Sequence, residues 1–207
     1  MNLMEDGALH LDFPEGEPQK ISLERHNAIL GDLSRALKID QDEISDIWLC
    51  SKTRKLVVEI RNSTLLPFLD VQVPFLYQLP FDQHKLDVKG VIVTAHPTEK
   101  DTQHKQYDFI SRYFSPWNGI SEDPVCGSAQ YVTKIKKRFV QKIFLQYVFT
   151  PMFSTVMAPY WSHKLHKDEF SAFQVSKRGG HLLVARKNKR VVLGGHAVTF
   201  LKGSFEI

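Results

Sequence analysis

Seven residues near the middle of the chain, Asp123-Pro124-Val125-Cys126-Gly127-Ser128-Ala129, bring together a carboxylate, a thiol and a hydroxyl, with small residues at 127, 128 and 129. Asp is a preferred helix N-cap. Pro is favoured just after it, where its missing N–H would be unpaired anyway. The segment therefore reads as a helix start. Free N–H groups and the positive end of the helix dipole suit an anion there, a carboxylate or a phosphate. Cys126 falls at the third helical position, where the same dipole favours the thiolate. Ser128 can donate a further hydrogen bond, and Asp123 can cap the helix or touch a ligand. Gly127 and its small neighbours permit close approach. A capped, buried helix using small residues for packing accounts for the same seven residues.

Other chemistry-bearing residues are more dispersed. Lys177-Arg178-Gly179-Gly180 is a tight basic turn: a solvated hairpin, or a carboxylate contact through Arg178. His163 and His166 stand three apart with nothing to supply a third metal ligand, so they read as a solvated face. Cys50 follows Trp48 and Leu49 in a strand and reads as buried and inert. Gly194-Gly195-His196 reads as a bend or bulge between strands. Trp117 and Asn118 either border a cleft or belong to a packed turn.

The elements that must position these residues are legible in outline. Leu23–Leu37 places apolar residues at 29, 30, 33, 36 and 37, a helical period, with Ser22 as N-cap and Glu24 in the first turn. Ala8–Phe13, Ile47–Cys50, Lys55–Ile60, Gly90–Ala95, Tyr107–Phe114, Ala172–Val175, His181–Arg186, Val191–Gly194 and Ala197–Lys202 read as strands, and Thr64–Leu69 as a short helix. Strands with few helices and no regular βα alternation predict an α+β fold.

Composition narrows the class. The 207 residues are 43% hydrophobic and 24% charged, which is ordinary for a globular chain. No apolar run approaches a membrane span, and the N-terminus lacks the pattern of a secretory signal. Two cysteines make no disulfide framework, so a reduced, cytoplasmic setting is expected. The net charge of +4 is local. Residues 131–155 contain Lys134, Lys136, Lys137, Arg138 and Lys142 and no acid, which leaves the remainder at −1. Neither a nucleic-acid partner nor a membrane partner is expected; nucleic-acid binding would rest on 134–142 alone.

The stretch SRYFSPWNGISEDPVCGSA resembles the signature of the phenazine-biosynthesis-like (PhzF) isomerase family, in which an aromatic strand leads into a G-x-x-E-D-P-V-T-G-S-A turn and helix. YWSHKL, FQVSKRGGHLLV and VVLGGHAVTFLKGSF resemble later parts of the family pattern; LDFP, the 23–37 helix and GVIVTA fall in family order upstream. The resemblance implies a diaminopimelate-epimerase-like fold, with a curved mixed sheet around a central helix starting near Pro124. It places residues 1–207 as the C-terminal of two similar domains. It implies an isomerase that removes and returns a proton beside an activated carbon of a small carboxylate, without metal or organic cofactor. Asp123 and Ser128 match the family's substrate-binding Asp and Ser, and Gly127 and Ala129 its close-approach positions. The family's general acid/base glutamate and a Gly-His motif belong to the first domain and have no match here. A truncated or inactive form is therefore expected; the alternative is a non-catalytic binding or regulatory protein keeping the half-fold. A missing domain would also expose apolar surface and favour a homo-oligomer. Cys126 stands where the family usually has Thr, and Gln130 where it commonly has His. In related epimerases and racemases a cysteine at this helix start is a proton-transfer thiol, which makes Cys126 a candidate.

Residues 131–155 depart from the family pattern as an atypical basic insertion. They fit a helical extension, a lengthened loop, or a retained intron. A loose helical spacing from Val132 to Tyr147, with Pro151 as a stop, predicts that 131–149 continues the central helix and displaces Tyr160–Leu165.

Overall fold

The computed structural model describes residues 2–3, 8–124 and 151–196. Cys126, Gly127, Ser128, Ala129, most of the basic segment and the expected Ala197–Lys202 strand lie outside the described residues. Three strands carry the centre: Lys55–Ile60 (β5), Gly90–Ala95 (β6) and Phe109–Ser115 (β7). Every residue of β6 and β7 is buried, as is all of β5 but Glu59, because helices cover both faces here. Around them stand Asn2–Leu3 (β1), Ala8–Pro14 (β2), Gln19–Lys20 (β3), Ile44–Cys50 (β4), Ile120–Asp123 (β8), Glu169–Gln174 (β9), Gly180–Lys187 (β10) and Arg190–His196 (β11). The order is β1-β2-β11-β10-β9-β7-β6-β5-β4-β3, with β8 paired to β7. β5–β6 and β7–β9 are parallel; the other pairs are antiparallel.

One face packs against the helices Leu23–Leu37 (α1) and Val73–Gln78 (α2), through Ile47, Leu56, Val58, Val91, Val93, Ile110 and Phe114. α1 forms as its residues dictate. Ile29, Leu33, Ala36 and Leu37 make the buried stripe, the Ser22 hydroxyl accepts from Arg25 N at 3.4 Å, and Lys38 closes the helix at φ 54°. The other face curls around the helix Pro151–Leu165 (α3), which is buried on nearly all sides from Phe153 to Trp161.

α3 overturns the expected register. Tyr160 and Trp161 are not displaced; both are buried in the inner core. The Trp161 ring stacks on Phe109 at 5.5 Å and its indole N–H donates to Thr94 Oγ1 at 3.2 Å. Pro151 opens the helix instead of stopping it, the position where Pro costs least. Buried aromatics are each worth about 3–5 kcal/mol on truncation. Local helix propensities differ by at most about 0.7 kcal/mol per residue among ordinary residues. Packing therefore decides which segment fills the sheet. Residues 151–155, the end of the basic segment, are the first turn and more of this helix.

Pro159 lies inside α3 and cannot donate to the Thr155 carbonyl. The Gly16 N–H takes that acceptor at 2.9 Å. A Cβ at Gly16 would stand 3.0 Å from Cys50 Sγ and 3.1 Å from Val156 Cγ2, so the PEGEP break is a docking point for the helix.

Smaller differences have local causes. Ser63–Phe68 is a 3-10 helix, and β7 starts at Phe109 because Asp101–Tyr107 forms hydrogen-bonded turns. Gly194-Gly195-His196 is no bend: β11 pairs β2 in unbroken register from Arg190↔Pro14 to His196↔Ala8. Gly194 is instead a close-approach position, where a Cβ would sit 3.3 Å from Leu183 Cβ.

Candidate functional site

Asp123 ends β8, and three sets of contacts fix it there. β8 pairs with β7, bringing Tyr113 opposite Asp123. The Arg112 guanidinium holds Glu122 through both oxygens, Nε–Oε1 at 2.7 Å and Nη2–Oε2 at 2.8 Å. Its Nη1 donates to the carbonyls of Leu69 at 2.7 Å and Leu66 at 3.3 Å. This planar fork ties β7, β8 and the Ser63–Phe68 turn together, a geometry that Lys cannot reproduce. On the opposite side the Gln174 amide donates to the Asp123 carbonyl, and the Ser176 hydroxyl donates to the Pro124 carbonyl.

Asp123 is 4% exposed and sits on the inner, α3-facing side of the sheet, because directly opposed residues share a face and Tyr113 packs in that core. Lys55 belongs to the same side, two residues before Val57, and is only 1% exposed. Its Nζ lies 4.9 Å from the Tyr113 ring centroid. Lys55 and Gly90 are register partners, and glycine is what lets the pair meet. A Cβ at Gly90 would be 2.7 Å from the Tyr113 hydroxyl and 3.0 Å from Lys55 Cδ. A row Lys55–Gly90–Tyr113–Asp123 thus crosses four strands at one end of the inner face.

The first turns of α3 meet this row. Phe153 touches Tyr113 at 5.8 Å, while Trp161 stacks on Phe109, so α3 runs antiparallel to β7 with its start at the Tyr113 end. Ser154 on α3 and Ser111 on β7 are buried, and their hydroxyls make no hydrogen bond. Ser111 is the register partner of the buried Gln174.

The far end of α3 carries an ion network. Lys164 Nζ reaches Glu59 Oε2 at 2.7 Å and Asp46 Oδ2 at 3.2 Å, Lys20 reaches Asp46 Oδ1 at 3.0 Å, and the Tyr160 hydroxyl donates to Glu59 at 2.9 Å. Burial pushes the Asp46 carboxyl up, but neighbouring Trp48, Lys20 and Lys164 outweigh it and hold the group below the usual carboxylate range. Burial, then the Glu59 carboxylate, raises the Tyr160 phenol far above its ordinary value. For Lys164, burial pulls down, yet Glu59 and Asp46 prevail and the ammonium is stabilised.

Of the residues singled out from sequence, Asp123, read there as a helix cap, is the buried last residue of β8. Arg178 is exposed in the β9–β10 turn, whose Ser176 bonds the Pro124 carbonyl, so that turn borders the same segment. Cys126, Gly127 and Ser128 lie outside the described residues. Cys50 is fully buried. Trp117 packs on Tyr77 and Phe81, and Asn118 donates to the Lys89 carbonyl at 3.1 Å, which makes this a packed turn. His163 and His166 are exposed, and no group of three metal-ligating side chains exists among the described residues. Nor is any helix among them long and apolar enough to cross a membrane. Sequence reasoning missed Lys55, Tyr113 and Gln174. The available signal was a lysine in phase with Val57 at the head of a strand buried on both faces.

A mixed sheet curled around one buried helix, with polar side chains gathered at the helix start, defines the diaminopimelate-epimerase-like class of α+β proteins. Residues 2–134 match the family described as Phenazine biosynthesis-like protein, PhzC-PhzF, and the chain belongs to that family. It is 37% identical over 162 residues to mouse (Mus musculus) phenazine biosynthesis-like domain-containing protein 1, covering 78% of this chain and 48% of that protein. It is 32% identical over 194 residues to a protein of Halalkalibacterium halodurans whose name describes it as an uncharacterized isomerase, covering 94% and 56%. A crystal structure of a PhzF-family phenazine biosynthesis protein from Enterococcus faecalis superposes with a TM-score of 0.69 at 27% identity, covering 99% of this chain and 60% of that one. The chain thus spans about half to three-fifths of the length of these relatives.

Proposed function

We propose that this chain contributes the substrate-holding half of a PhzF-like isomerase, acting on a small carboxylate by removing and returning a proton next to an activated carbon. The observation that carries the reading is Asp123, a carboxylate 4% exposed and pinned through its backbone and neighbours at the end of β8, opposite the Tyr113 that the first turn of α3 contacts. Such a group binds or orients a substrate donor without reorganising, the condition for electrostatic preorganisation. Relatives named as isomerases support the reaction class. We place the activity in a reducing, cytoplasmic setting, consistent with Cys50 as a buried free thiol.

The test incubates the 207-residue chain in D2O with a panel of small carboxylic acids bearing an activated C–H, followed by mass spectrometry. Slow deuterium incorporation that Asp123→Asn abolishes is the expected result. Incorporation indifferent to Asp123→Asn refutes the reading. Saturable binding of such acids with no incorporation favours the second reading, a binding protein that keeps the fold.

A further inference from the structure

We propose that the outer face of β2, β9, β10 and β11 is a self-association surface whose occupant is a second copy of this chain. The inference stands apart from the isomerase reading and does not rest on it. Along these strands Leu11, Phe170, Leu182, Val184 and Leu193 turn inward to α3, so the residues alternating with them turn outward. α1 and α2 cover the sheet elsewhere, and no described residue of β2, β10 or β11 joins their core. What is left is an open trough of about 360 Å3. Leu183, Ala185, Val192 and Gly194 floor it, with Glu169 and Ser171 on one bank and His10 on the other. Leu183 is 49% exposed, and its apolar neighbours on β10 and β11 make the patch contiguous.

The strand register favours one arrangement. One outward row across the four strands reads Ser171, Leu183, Gly194 and His10. The next reads Glu169, Ala185, Val192 and Asp12. Two copies meeting face to face are related by a two-fold axis lying in the face. An axis along the strands would set Glu169 on the partner's Asp12 and Lys187 on the partner's Arg190, like charge on like. An axis across the strands, between the two rows, exchanges one row with the other instead. Leu183 then covers the partner's Ala185, and Val192 the partner's Gly194, large on small, as facing sheets pack. His10 meets the partner's Asp12. The Ser171 hydroxyl, 3.0 Å from His181 Nε2, meets the partner's Glu169. Each of these pairs sets a donor on a carboxylate. Lys187 falls opposite the partner's His181 at the solvated rim, where a charge costs little. Four strands and four rows amount to roughly 500 Å2 per copy, the low end for specific interfaces, so the dimer dissociates on dilution.

Sedimentation equilibrium of the 207-residue chain over a range of concentrations tests the assignment. The expected result is a monomer–dimer equilibrium. Leu183→Glu should raise its dissociation constant by about tenfold or more, because two carboxylates enter the centre of the interface. Circular dichroism shows whether that variant is folded, and a second measurement decides if it is not. Chains carrying Leu183→Cys and chains carrying Ala185→Cys, both with Cys126→Ser, are mixed and oxidised. The mixture should cross-link faster than either chain alone, since only the mixture sets the two thiols opposite each other. A wild type that is monomeric at about 100 μM shows that the face takes some other partner and overturns the proposal. An unchanged dissociation constant in folded Leu183→Glu, or cross-linking no faster in the mixture, overturns it equally.

Discussion

Replacing Arg112 by Met should cost about 3 kcal/mol of folding stability and loosen Asp123 at the same time. The guanidinium makes four hydrogen bonds, two to the Glu122 carboxylate and two to main-chain carbonyls, and its side chain is 11% exposed against 24% for Glu122. Removing one partner of a buried pair typically costs about 3–5 kcal/mol, because the other charge is left without compensation. Glu122 is a quarter open to water, which places the cost near the lower bound. Lys at this position keeps the charge but loses the fork, so Arg112→Lys should lose about 1–2 kcal/mol. Changing both partners, Arg112→Met with Glu122→Met, should restore much of the loss, giving a coupling energy of about 1–3 kcal/mol. Urea unfolding followed by tryptophan fluorescence measures all four proteins. The same variants in the deuterium-incorporation assay report on Asp123, the next residue along β8. If Arg112→Met unfolds within about 0.5 kcal/mol of wild type, the range of ordinary surface changes, the fork does not hold β8 and the reasoning fails.

Three further outcomes follow from the contacts around α3. Gly16→Ala should destabilise by about 1–3 kcal/mol, since its Cβ enters the Cys50–Val156 contact; adding Cys50→Ala should recover part of the loss, and strict additivity by urea unfolding would contradict the clash. Ser154→Ala removes a buried hydroxyl that has no partner and should raise stability by about 1 kcal/mol; a drop in melting temperature would show that the hydroxyl is satisfied. The folded-state values of Tyr160 and Lys164 are both raised, so their contribution is complete below the unfolded values, near pH 10, and is lost as pH climbs beyond them. Denaturation midpoints should therefore hold to about pH 9–10 and then fall. Tyr160→Phe should make that fall shallower, and an unchanged slope would remove Tyr160 from the linkage.

What could be read from sequence was what neighbours in the chain decide. Ser22 and the 29–33–36–37 stripe specify α1 locally. β6 is legible because a short β-branched run has few alternatives. The long motif ending at Ala129 carried the family, and Asp123 came with it. The rest depended on residues far apart in sequence. Helical spacing in 131–149 competed with aromatic burial in 151–165, and the aromatics prevailed for the inner face because Phe109, Thr94 and Glu59 await them there. Gly194 looked like a bend when it is a spacer against Leu183, a strand neighbour. Lys55 was legible as the first residue of a strand, and only the pairing of β5 with β6, and of β7 with β8, puts it on the inner face with Tyr113 and Asp123. Caps, periods and motifs are short-range and survive in one dimension. The burial of a charge, the register of a helix inside a curled sheet and the company a carboxylate keeps are set by strand order, which no local pattern encodes.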